Sequence, residues 1–389
     1  MAIDKEIRNS EVLSKIRQIL EQRGLTQRDF AALLGKKESE VSRWLSGKFN
    51  ISRQSQEKIE AALGEPVSAD STFRRTEGEI RFGIIGSGDM AGRFVREAQS
   101  VSGIRIVAAY NPVQMLQCEL FCRTNAIDRC CPSLEELLAG VDAVYVASPV
   151  DTHYKYTRVA LENGRHVICE MPFLQNKTEA DELLRLAARR NLILLTALKT
   201  AYCPSFQQMI RVAQSGIIGD IADVSATVTN LLPEDTSAVF ANERMMENFS
   251  YPLLTFFKLL GLKYRHFHSF VRMNGDKMLF ANVMLEYDNA VGNFKVGVGV
   301  KSEGSLVVSG TRGYIYVPAP WWKPDYFEVR FENPADNKKY FFPYEAAGLR
   351  YEIQVFRDKV ARTSPIEYIS REEILHTIDI QKKIQQSIK

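Results

Sequence analysis

The sequence of 389 residues predicts an α/β protein with a parallel sheet, a second α/β domain with a large open, mostly antiparallel sheet, and a small all-α domain preceding both. Three observations predict this fold class. Short helical segments with tight breaks fill residues 11–64. Short β-branched runs alternate with helix-length segments from residue 80 to about residue 200, and longer runs of alternating polarity follow residue 220. One hydrophobic core seldom holds so long a chain.

The small helical domain is predicted over residues 1–66, and a polar linker without periodicity follows over residues 67–78. Thr26, with Asp29 three positions later, is typical of a helix N-cap. Gly35 then lets the chain turn into a second helix. The apolar residues expected to pack these helices together are Phe30, Ala31, Leu34, Val41, Trp44 and Leu45.

Residues 24–35 and 41–48 resemble the phage-repressor-like (XRE) helix-turn-helix family. The resemblance implies that the helix Glu38–Leu45 enters the major groove of DNA, and that a dimer reads a palindromic site. The candidate DNA-contacting residues are Gln27, Lys37, Glu38, Ser39, Ser42 and Arg43. The alternative is a helical bundle that contacts another protein, as similar small bundles do.

The parallel sheet is predicted from apolar runs that are separated by helix-length segments, the pattern of a sheet covered on both faces. The first run, 81–85, leads through Gly86-Ser87-Gly88-Asp89-Met90-Ala91 into a helix over 89–100. The later runs are 104–110, 143–147, 166–169 and 192–195. This order of strand, glycine turn and helix predicts a Rossmann-type domain, placed at residues 79–199.

The glycine turn predicts a dinucleotide site. Gly86 permits a tight turn, Gly88 lets the backbone approach a pyrophosphate, and Ala91 keeps the helix close to the strand. The helix N-terminus then offers free N–H groups to the phosphates. A carboxylate usually follows the second strand and binds the ribose, but Asn111 stands there. The expected cofactor is NAD or NADP, with a slight preference for NAD.

The second sheet is predicted from longer alternating runs at 222–231, 277–287, 290–300 and 304–308. Turns such as Asp288-Asn289 join them. This pattern predicts that helices cover one face of the sheet and leave the other free to bind. The domain is placed at residues 200–389, with C-terminal helices that pack back on the Rossmann domain.

Composition excludes several classes of protein. The formal net charge of +3 gives no electrostatic argument for nucleic acid or a membrane, and no apolar run is long enough to span a bilayer. Residues 1–6 lack the apolar core of a signal peptide, so the cytoplasm is the expected compartment.

The six cysteines are expected as free thiols, because the cytoplasm is a reducing compartment. A metal site among Cys118, Cys122, Cys130 and Cys131 is the less favoured alternative, and no metal is predicted there or at His266 and His268.

From residue 79 onward the chain resembles the glucose–fructose oxidoreductase/inositol dehydrogenase (Gfo/Idh/MocA) family. The motifs that carry the resemblance are 83–88, Ala147-Ser148-Pro149 with His153, 166–172, 215–221 and 310–313. It implies oxidation or reduction of sugar-like hydroxyls by a nicotinamide cofactor, and a homodimer or homotetramer built through the second sheet. The cofactor-binding candidates are Gly86, Ser87, Gly88, Asp89, Met90, Asn111, Ser148, Pro149, His153, Glu170 and Met171.

The chain departs from the family at the position that handles the proton. The family signature is Glu-Lys-Pro, whereas this chain has Glu170-Met171-Pro172, and a thioether is neither acid nor base. Tyr251 is the catalytic candidate that the resemblance implies, with Glu247 at a position where the family often has Asp. Lys199, at the end of the run 192–198, could replace the missing ammonium. The substrate candidates are Lys199, Tyr202, Glu247 and Tyr251.

Each of these candidates has a structural alternative, since Lys199 could be a solvated loop residue and Tyr251 a packed aromatic. Two functions follow from the whole sequence. One is a transcriptional regulator that senses a nucleotide or sugar-like ligand, with hydride transfer weakened or lost. The other is an active NAD(P)-dependent sugar or polyol dehydrogenase with an accessory helical domain. Met171 favours the regulator.

Overall fold

The computed structural model describes residues 12–21, 23–46, 51, 55, 58–59, 62–63 and 78–388. The chain divides into two compact units, Met1–Glu79 and Ile80–Lys389. Of the predicted linker, only Gly78 is among the described residues. Within the described residues, no helix combines the length and the apolar character that crossing a bilayer requires.

The first unit is helical. Residues 12–21 form α1, Gln27–Leu33 form α2 and Glu38–Leu45 form α3. The N-cap prediction is confirmed: Thr26 Oγ1 accepts from the Asp29 N–H at 3.2 Å, and the Asp29 carboxylate accepts from the Thr26 N–H at 2.9 Å. Gly35 has φ +62°, which opens the turn between α2 and α3. Phe30, Val41 and Leu45 are buried in the core of this unit.

A parallel sheet of six strands opens the second unit. Its strands are β1 (Ile80–Ile85), β2 (Ile104–Tyr110), β3 (Arg129–Cys130), β4 (Ala143–Val146), β5 (His166–Cys169) and β6 (Leu194–Thr196). Its helices are α4 (Asp89–Ala98), α5 (Met115–Thr124), α6 (Leu134–Ala139), α7 (His153–Glu162) and α8 (Lys177–Arg189). The strand order β3-β2-β1-β4-β5-β6 reverses at β1, so the carboxyl ends of β1 and β4 border a crevice. The predicted Rossmann-type fold is confirmed.

The second sheet has eight strands in the order β14-β13-β12-β11-β7-β10-β9-β8. They are β7 (Ile221–Thr229), β8 (His266–Asn274), β9 (Lys277–Glu286), β10 (Val291–Gly297), β11 (Leu306–Gly310), β12 (Tyr314–Val317), β13 (Tyr326–Arg330) and β14 (Lys338–Phe341). Only the pairing of β7 with β10 is parallel, so the predicted mostly antiparallel sheet is confirmed.

Four further helices flank the sheets: α9 (Pro204–Gln214), α10 (Ala238–Leu260), α11 (Leu349–Val360) and α12 (Arg371–Gln386). The long helix α10 packs on β7, β9 and β10 and covers one face of the second sheet. The C-terminal helix α11 packs on α4. There the buried Glu97 carboxylate accepts from the backbone N–H groups of Ala347 at 2.8 Å and Arg350 at 3.0 Å.

One strand prediction is wrong in a way that matters for the site. The run 192–198 was expected to be a strand that ends at Lys199, but β6 stops at Thr196 and Lys199 begins a short 3₁₀ turn, Lys199–Tyr202. The turn forms because the Tyr202 hydroxyl donates to the Thr196 carbonyl at 2.8 Å and folds the chain back on the strand end. Lys199 therefore lies just beyond the sheet edge.

Candidate functional site

The glycine turn after β1 has the geometry of a phosphate cradle. Gly86 has φ +111°, and a Cβ there would lie 2.4 Å from the Ala147 carbonyl oxygen, so the turn admits only glycine. A Cβ at Gly88 would meet nothing within 4 Å, so the backbone is open to a ligand on that side. Gly88 is also the N-cap of α4 and has no side chain to occupy the first helical N–H groups. These features fit the pyrophosphate of a dinucleotide.

Asn111 links the second strand to this turn. Its Nδ2 donates to Ser87 Oγ at 2.7 Å, and its Oδ1 accepts from the N–H groups of Val113 at 2.9 Å and Gln114 at 3.3 Å. The amide therefore fixes the loop before α5 and orients Ser87. A carboxylate at this position could accept from the Ser87 hydroxyl instead, so Asn111 differs from the usual acidic residue in its missing charge.

An open pocket lies between the carboxyl ends of β4 and β5 and the first turns of α10. Its lining residues are Met90, Ala147, Ser148, Pro149, Val150, His153, Glu170, Met171, Pro172, Phe240, Glu243, Arg244 and Glu247. The fold thus brings most of the predicted cofactor residues together with Glu247 from the second half of the chain. Asp89 is exposed and paired with Arg93, outside this lining.

Glu170 is buried behind Met171. The Tyr145 hydroxyl donates to its carboxylate, which also accepts from the Met171 N–H at 3.0 Å. Burial raises the pKa of Glu170, and the nearby Glu247 carboxylate raises it further, against the lowering effects of Tyr145 and Lys199. Glu170 therefore holds a proton more readily than an exposed glutamate, and it anchors the chain at Met171.

His153 braces the two loops that border the pocket. Its Nδ1 lies 3.1 Å from the carbonyl oxygens of Pro172 and Phe173, and its Nε2 lies 2.9 Å from that of Ser148. Burial lowers the pKa of His153, but the adjacent Cys169 and these carbonyls outweigh burial and raise the pKa to about 9. Both ring nitrogens face backbone carbonyls. His153 thus holds the ends of β4 and β5 in register beside the cofactor position.

Tyr251 takes part in a hydrogen-bond network on α10. Its hydroxyl donates to Glu247 Oε1 at 3.0 Å, and Arg244 donates to Glu247 Oε2 at 2.6 Å. Its ring stacks on Trp322 with centroids 6.5 Å apart. Burial, with Glu247 close by, raises the pKa of Tyr251 well above its usual value. Tyr251 is 4% exposed, so the phenol remains protonated and donates to Glu247.

Two lysines lie near this network. Lys199 is half-buried and acts on the Glu170 and Glu352 carboxylates, whose pKa values its charge lowers. Sequence reasoning missed Lys323, between β12 and β13. Burial lowers the pKa of Lys323, and the charges of Lys199 and Arg93 lower it further. No motif marks Lys323, because only the tertiary fold brings it here.

Glu352, on α11, is the other residue that sequence reasoning missed. It is fully buried, and neither carboxylate oxygen has a hydrogen-bond partner among the described residues. Burial, reinforced by Glu170, raises the pKa of Glu352 well above its usual value. It therefore stays protonated behind the pocket. Its place on a helical face gave no sequence signal beyond amphipathic spacing.

Tyr202 is not brought to the pocket at Met171. Its hydroxyl is bound to the Thr196 carbonyl, its ring packs 5.5 Å from that of Tyr368, and it is 6% exposed. It lines a separate cavity beside β6. The substrate role predicted for Tyr202 therefore has no geometric support, because the 3₁₀ turn directs the ring into the core.

The DNA-contacting candidates are all exposed in the first unit. The exposed residues are Gln27 at the start of α2, Lys37 as the N-cap of α3, and Glu38, Ser39, Ser42 and Arg43 within α3. Arg43 Nε donates to the Ser39 carbonyl at 3.2 Å. Glu40 is paired with Lys36, whose ammonium lies 4.9 Å from the centroid of Trp44. The Lys36 charge therefore offsets that of Glu40, one of the two acidic residues in the first turn of α3, the other being Glu38.

Two curated dehydrogenases are similar to parts of this chain. The scyllo-inositol 2-dehydrogenase (NADP(+)) IolU of Bacillus subtilis (strain 168) is 32% identical over 132 residues, which cover 33% of this chain and 40% of that protein. This match therefore spans less than half of that relative. The trans-1,2-dihydrobenzene-1,2-diol dehydrogenase of Oryctolagus cuniculus is 25% identical over 324 residues, which cover 78% of this chain and 97% of that enzyme.

Solved structures share the fold of the second unit. The UDP-N-acetylglucosamine 3-dehydrogenase GnnA from Acidithiobacillus ferrooxidans aligns with a TM-score of 0.68 and 18% identity over 80% of this chain and 98% of that one. KijD10, a 3-ketoreductase from Actinomadura kijaniata in complex with NADP and TDP-benzene, aligns with a TM-score of 0.69 and 18% identity over 79% of this chain and 97% of that one.

Family profiles match the two units separately. Residues 80–198 match the Gfo/Idh/MocA profile, described as an oxidoreductase family with an NAD-binding Rossmann fold. Residues 16–69 match a helix-turn-helix profile. Both resemblances inferred from the sequence are confirmed. The chain therefore contains a segment that matches the Gfo/Idh/MocA NAD-binding Rossmann profile, preceded by a segment that matches a helix-turn-helix profile.

Proposed function

We propose that this chain is a transcriptional regulator of the cytoplasm whose oxidoreductase region binds NAD or NADP and a sugar-like ligand, with hydride transfer weakened. The observation that carries the proposal is Met171. It lines the pocket beside Glu170 at the position where the family resemblance implies a lysine. A thioether can pack against a nicotinamide or a sugar ring but cannot exchange a proton with a hydroxyl.

The neighbouring network supports this proposal. Glu247 already accepts hydrogen bonds from both Tyr251 and Arg244. The pKa of Tyr251 is raised, so the Tyr251 hydroxyl is a poor base at neutral pH. An efficient general base has a pKa near the working pH. The pocket is therefore better suited to holding a polar ligand between Arg244 and Glu170 than to removing its proton.

The helix-turn-helix region supplies the output of such a regulator. A homodimer or homotetramer formed through the second sheet would present two copies of α3 to the half-sites of a palindrome. The sheet face opposite α10 bears exposed apolar side chains, Phe270 and Met284, at positions suited to an interface. We propose only a slight preference for NAD over NADP, because Asn111 offers no positive charge that would bind the 2′-phosphate of NADP.

A second candidate function is an active dehydrogenase with an accessory helical domain. The specific observation in its favour is Lys199, whose charge acts on Glu170 directly behind Met171. If the Lys199 ammonium reaches a bound hydroxyl, it replaces the missing lysine. Several relatives bear dehydrogenase names, which agrees with this alternative.

Turnover separates the two functions. The full-length chain is assayed for binding of NADH and NADPH by fluorescence, and for steady-state oxidation of inositols and hexoses with NAD or NADP. We expect micromolar nucleotide binding with turnover at least about 100-fold below the ordinary enzyme value of about 10 per second. Met171→Lys should raise turnover at least about tenfold. Met171→Leu, a matched apolar control, should not.

Two results would decide against the regulator with weakened chemistry. Wild-type turnover near about 10 per second would establish the dehydrogenase. A wild-type protein that binds neither nucleotide would remove the cofactor from the proposal. DNA binding is tested separately, by selecting ligands of the full-length chain from a random duplex library with and without NADH. Failure to enrich any sequence would favour the protein-contact alternative for the first unit.

A further inference from the structure

Four sulfur atoms converge where α5 meets β3, outside the pocket at Met171. Cys118 and Cys122 lie four residues apart on one face of α5, and Cys130 lies in β3. The three Sγ atoms are all within 4.8 Å of one another. The cysteine spacing in the sequence favoured ordinary buried thiols. Only the pairing of β2 with β3 brings Cys130 opposite α5.

The distances between these sulfurs suit a single coordinated ion. A metal–sulfur bond of about 2.3 Å puts two ligand sulfurs roughly 3.8 to 4.0 Å apart in tetrahedral or trigonal geometry. The upper bound of 4.8 Å on the Sγ separations exceeds these values by about 1 Å at most, so small side-chain rotations bring the three sulfurs to one ion. The three cysteines come from a helix and its adjoining strand, so the backbone already holds them in place.

Met115 completes the set with a fourth soft donor. Its Sδ lies 3.7 Å from Cys130 Sγ. Met115 is 41% exposed, whereas Cys118 is fully buried, so an ion can enter past the thioether and reach the inner thiols. Soft thiolate and thioether ligands select Cu(I), whereas Zn(II) is held by thiolate, imidazole and carboxylate.

The donor set does not suit hard cations. Mg²⁺ and Ca²⁺ take oxygen ligands, whereas all four donors of this site are sulfur atoms. Hard cations are therefore excluded as occupants.

We infer that Cys118, Cys122, Cys130 and Met115 form a binding site for a soft, thiophilic d¹⁰ cation, with Cu(I) as the preferred ion. Binding forms bonds from the metal to three sulfurs with the thioether as fourth donor, and the displaced thiol protons go to solvent. The ion keeps its oxidation state, so no oxidant or reductant takes part.

The site adjoins the loop that holds the glycine turn. The Cys118 N–H donates to the Gln114 carbonyl at 3.1 Å, the Gln114 N–H donates to Asn111 Oδ1 at 3.3 Å, and the Asn111 side chain holds Ser87. Metal binding at Cys118 therefore changes the position or stiffness of the Asn111 loop, and with it the affinity for a nucleotide. This coupling rests on the proposed nucleotide site, whereas the metal site itself does not. Coupling of this kind is reciprocal and typically amounts to about 5- to 150-fold.

The test uses the reduced full-length chain under anaerobic conditions. Cu(I) is titrated in competition with a chromophoric Cu(I) chelator, and Cd²⁺ is used as a spectroscopic probe through its thiolate charge-transfer absorbance. We expect one ion per chain. Cys118→Ala and Cys130→Ala should weaken binding at least about 100-fold, and Met115→Leu should weaken Cu(I) binding more than Cd²⁺ binding.

Matched controls distinguish a loss of metal binding from a loss of folding. Cys131→Ala, next in sequence to Cys130, and Cys203→Ala remove buried thiols outside the cluster and should leave binding unchanged. Far-UV circular dichroism confirms that each variant is folded, and Met115→Leu alters only a surface side chain. Binding lost equally in Cys131→Ala, or no stoichiometric ion in the wild type, overturns the site.

The nucleotide readout is separate. NADH affinity is measured with and without one equivalent of Cu(I), and a change of at least about fivefold supports the coupling. An unchanged affinity overturns the coupling while the metal stoichiometry still supports the site. If no NADH binds under either condition, the nucleotide proposal fails and the metal titration stands by itself.

Discussion

At the scale of single residues, the two glycines of the β1–α4 turn have different physical constraints. A side chain at Gly86 would collide with the Ala147 carbonyl at 2.4 Å in a backbone conformation of φ +111°. A side chain at Gly88 would enter open space with φ −81°. The first glycine is therefore required by the fold, whereas the second is required only by what binds beside it.

This difference predicts opposite phenotypes. Gly86→Ala should lower the free energy of unfolding of the second unit by about 3 kcal/mol, because both the clash and the positive φ must be relieved. Gly88→Ala should cost less than about 1 kcal/mol yet weaken NADH binding at least about tenfold, since its methyl fills the phosphate position. Urea unfolding and fluorescence titration measure the two effects. Equal stability of the two variants would contradict the assignment.

At the scale of elements, α3 presents Lys37, Ser39 and Ser42 on an exposed surface. Lys37→Ala should weaken binding to every DNA sequence and reduce the magnitude of the salt-dependence slope by about one, because a lysine–phosphate contact releases one counterion. Lys15→Ala is the matched control, since it removes the same charge from the exposed face of α1. Titrations at several salt concentrations measure the slopes. The same reduction in both variants would exclude α3 as the DNA-contacting helix.

The elements also differ in how far the sequence predicts them. The inner strands β1, β2, β4 and β5 were predicted within a residue or two at their ends, because a buried parallel strand is a continuous apolar run. The outer strands β12, β13 and β14 were not predicted. They are four or five residues long, and β14 includes two lysines, which is typical of the edge of a sheet. Their pairing depends on neighbours that local sequence does not reveal.

The candidate site was predicted only where motifs mark it. Residues 86–90, 148–149 and 170–171 belong to local patterns, and the structure brings most of them to one crevice. Lys323 and Glu352 were missed because they affect Lys199 and Glu170 electrostatically from positions that are distant in sequence. Tyr202 was a substrate candidate, but in the 3₁₀ turn its hydroxyl donates to the Thr196 carbonyl and its ring packs beside Tyr368.

At the scale of the whole molecule, the chain has two units with separate cores. Calorimetry of the full chain should therefore give two thermal transitions. NADH at 100 times its dissociation constant should stabilise only the larger unit, by about 2.7 kcal/mol, because the ligand binds the folded state of that unit alone. Gly88→Ala provides the control, since the transition of its larger unit should shift less at the same NADH concentration. A single cooperative transition would contradict the independence of the two cores.

The pairing of Glu97 with the start of α11 also determines where this chain can be shortened. A chain cut before residue 347 would lose the N–H groups of Ala347 and Arg350 and leave a carboxylate buried at the end of α4 without donors. An engineer who wants a minimal nucleotide-binding fragment must therefore retain the last helices or replace Glu97 with an apolar residue. The apparent boundary of the Rossmann domain near residue 199 does not give a self-sufficient piece.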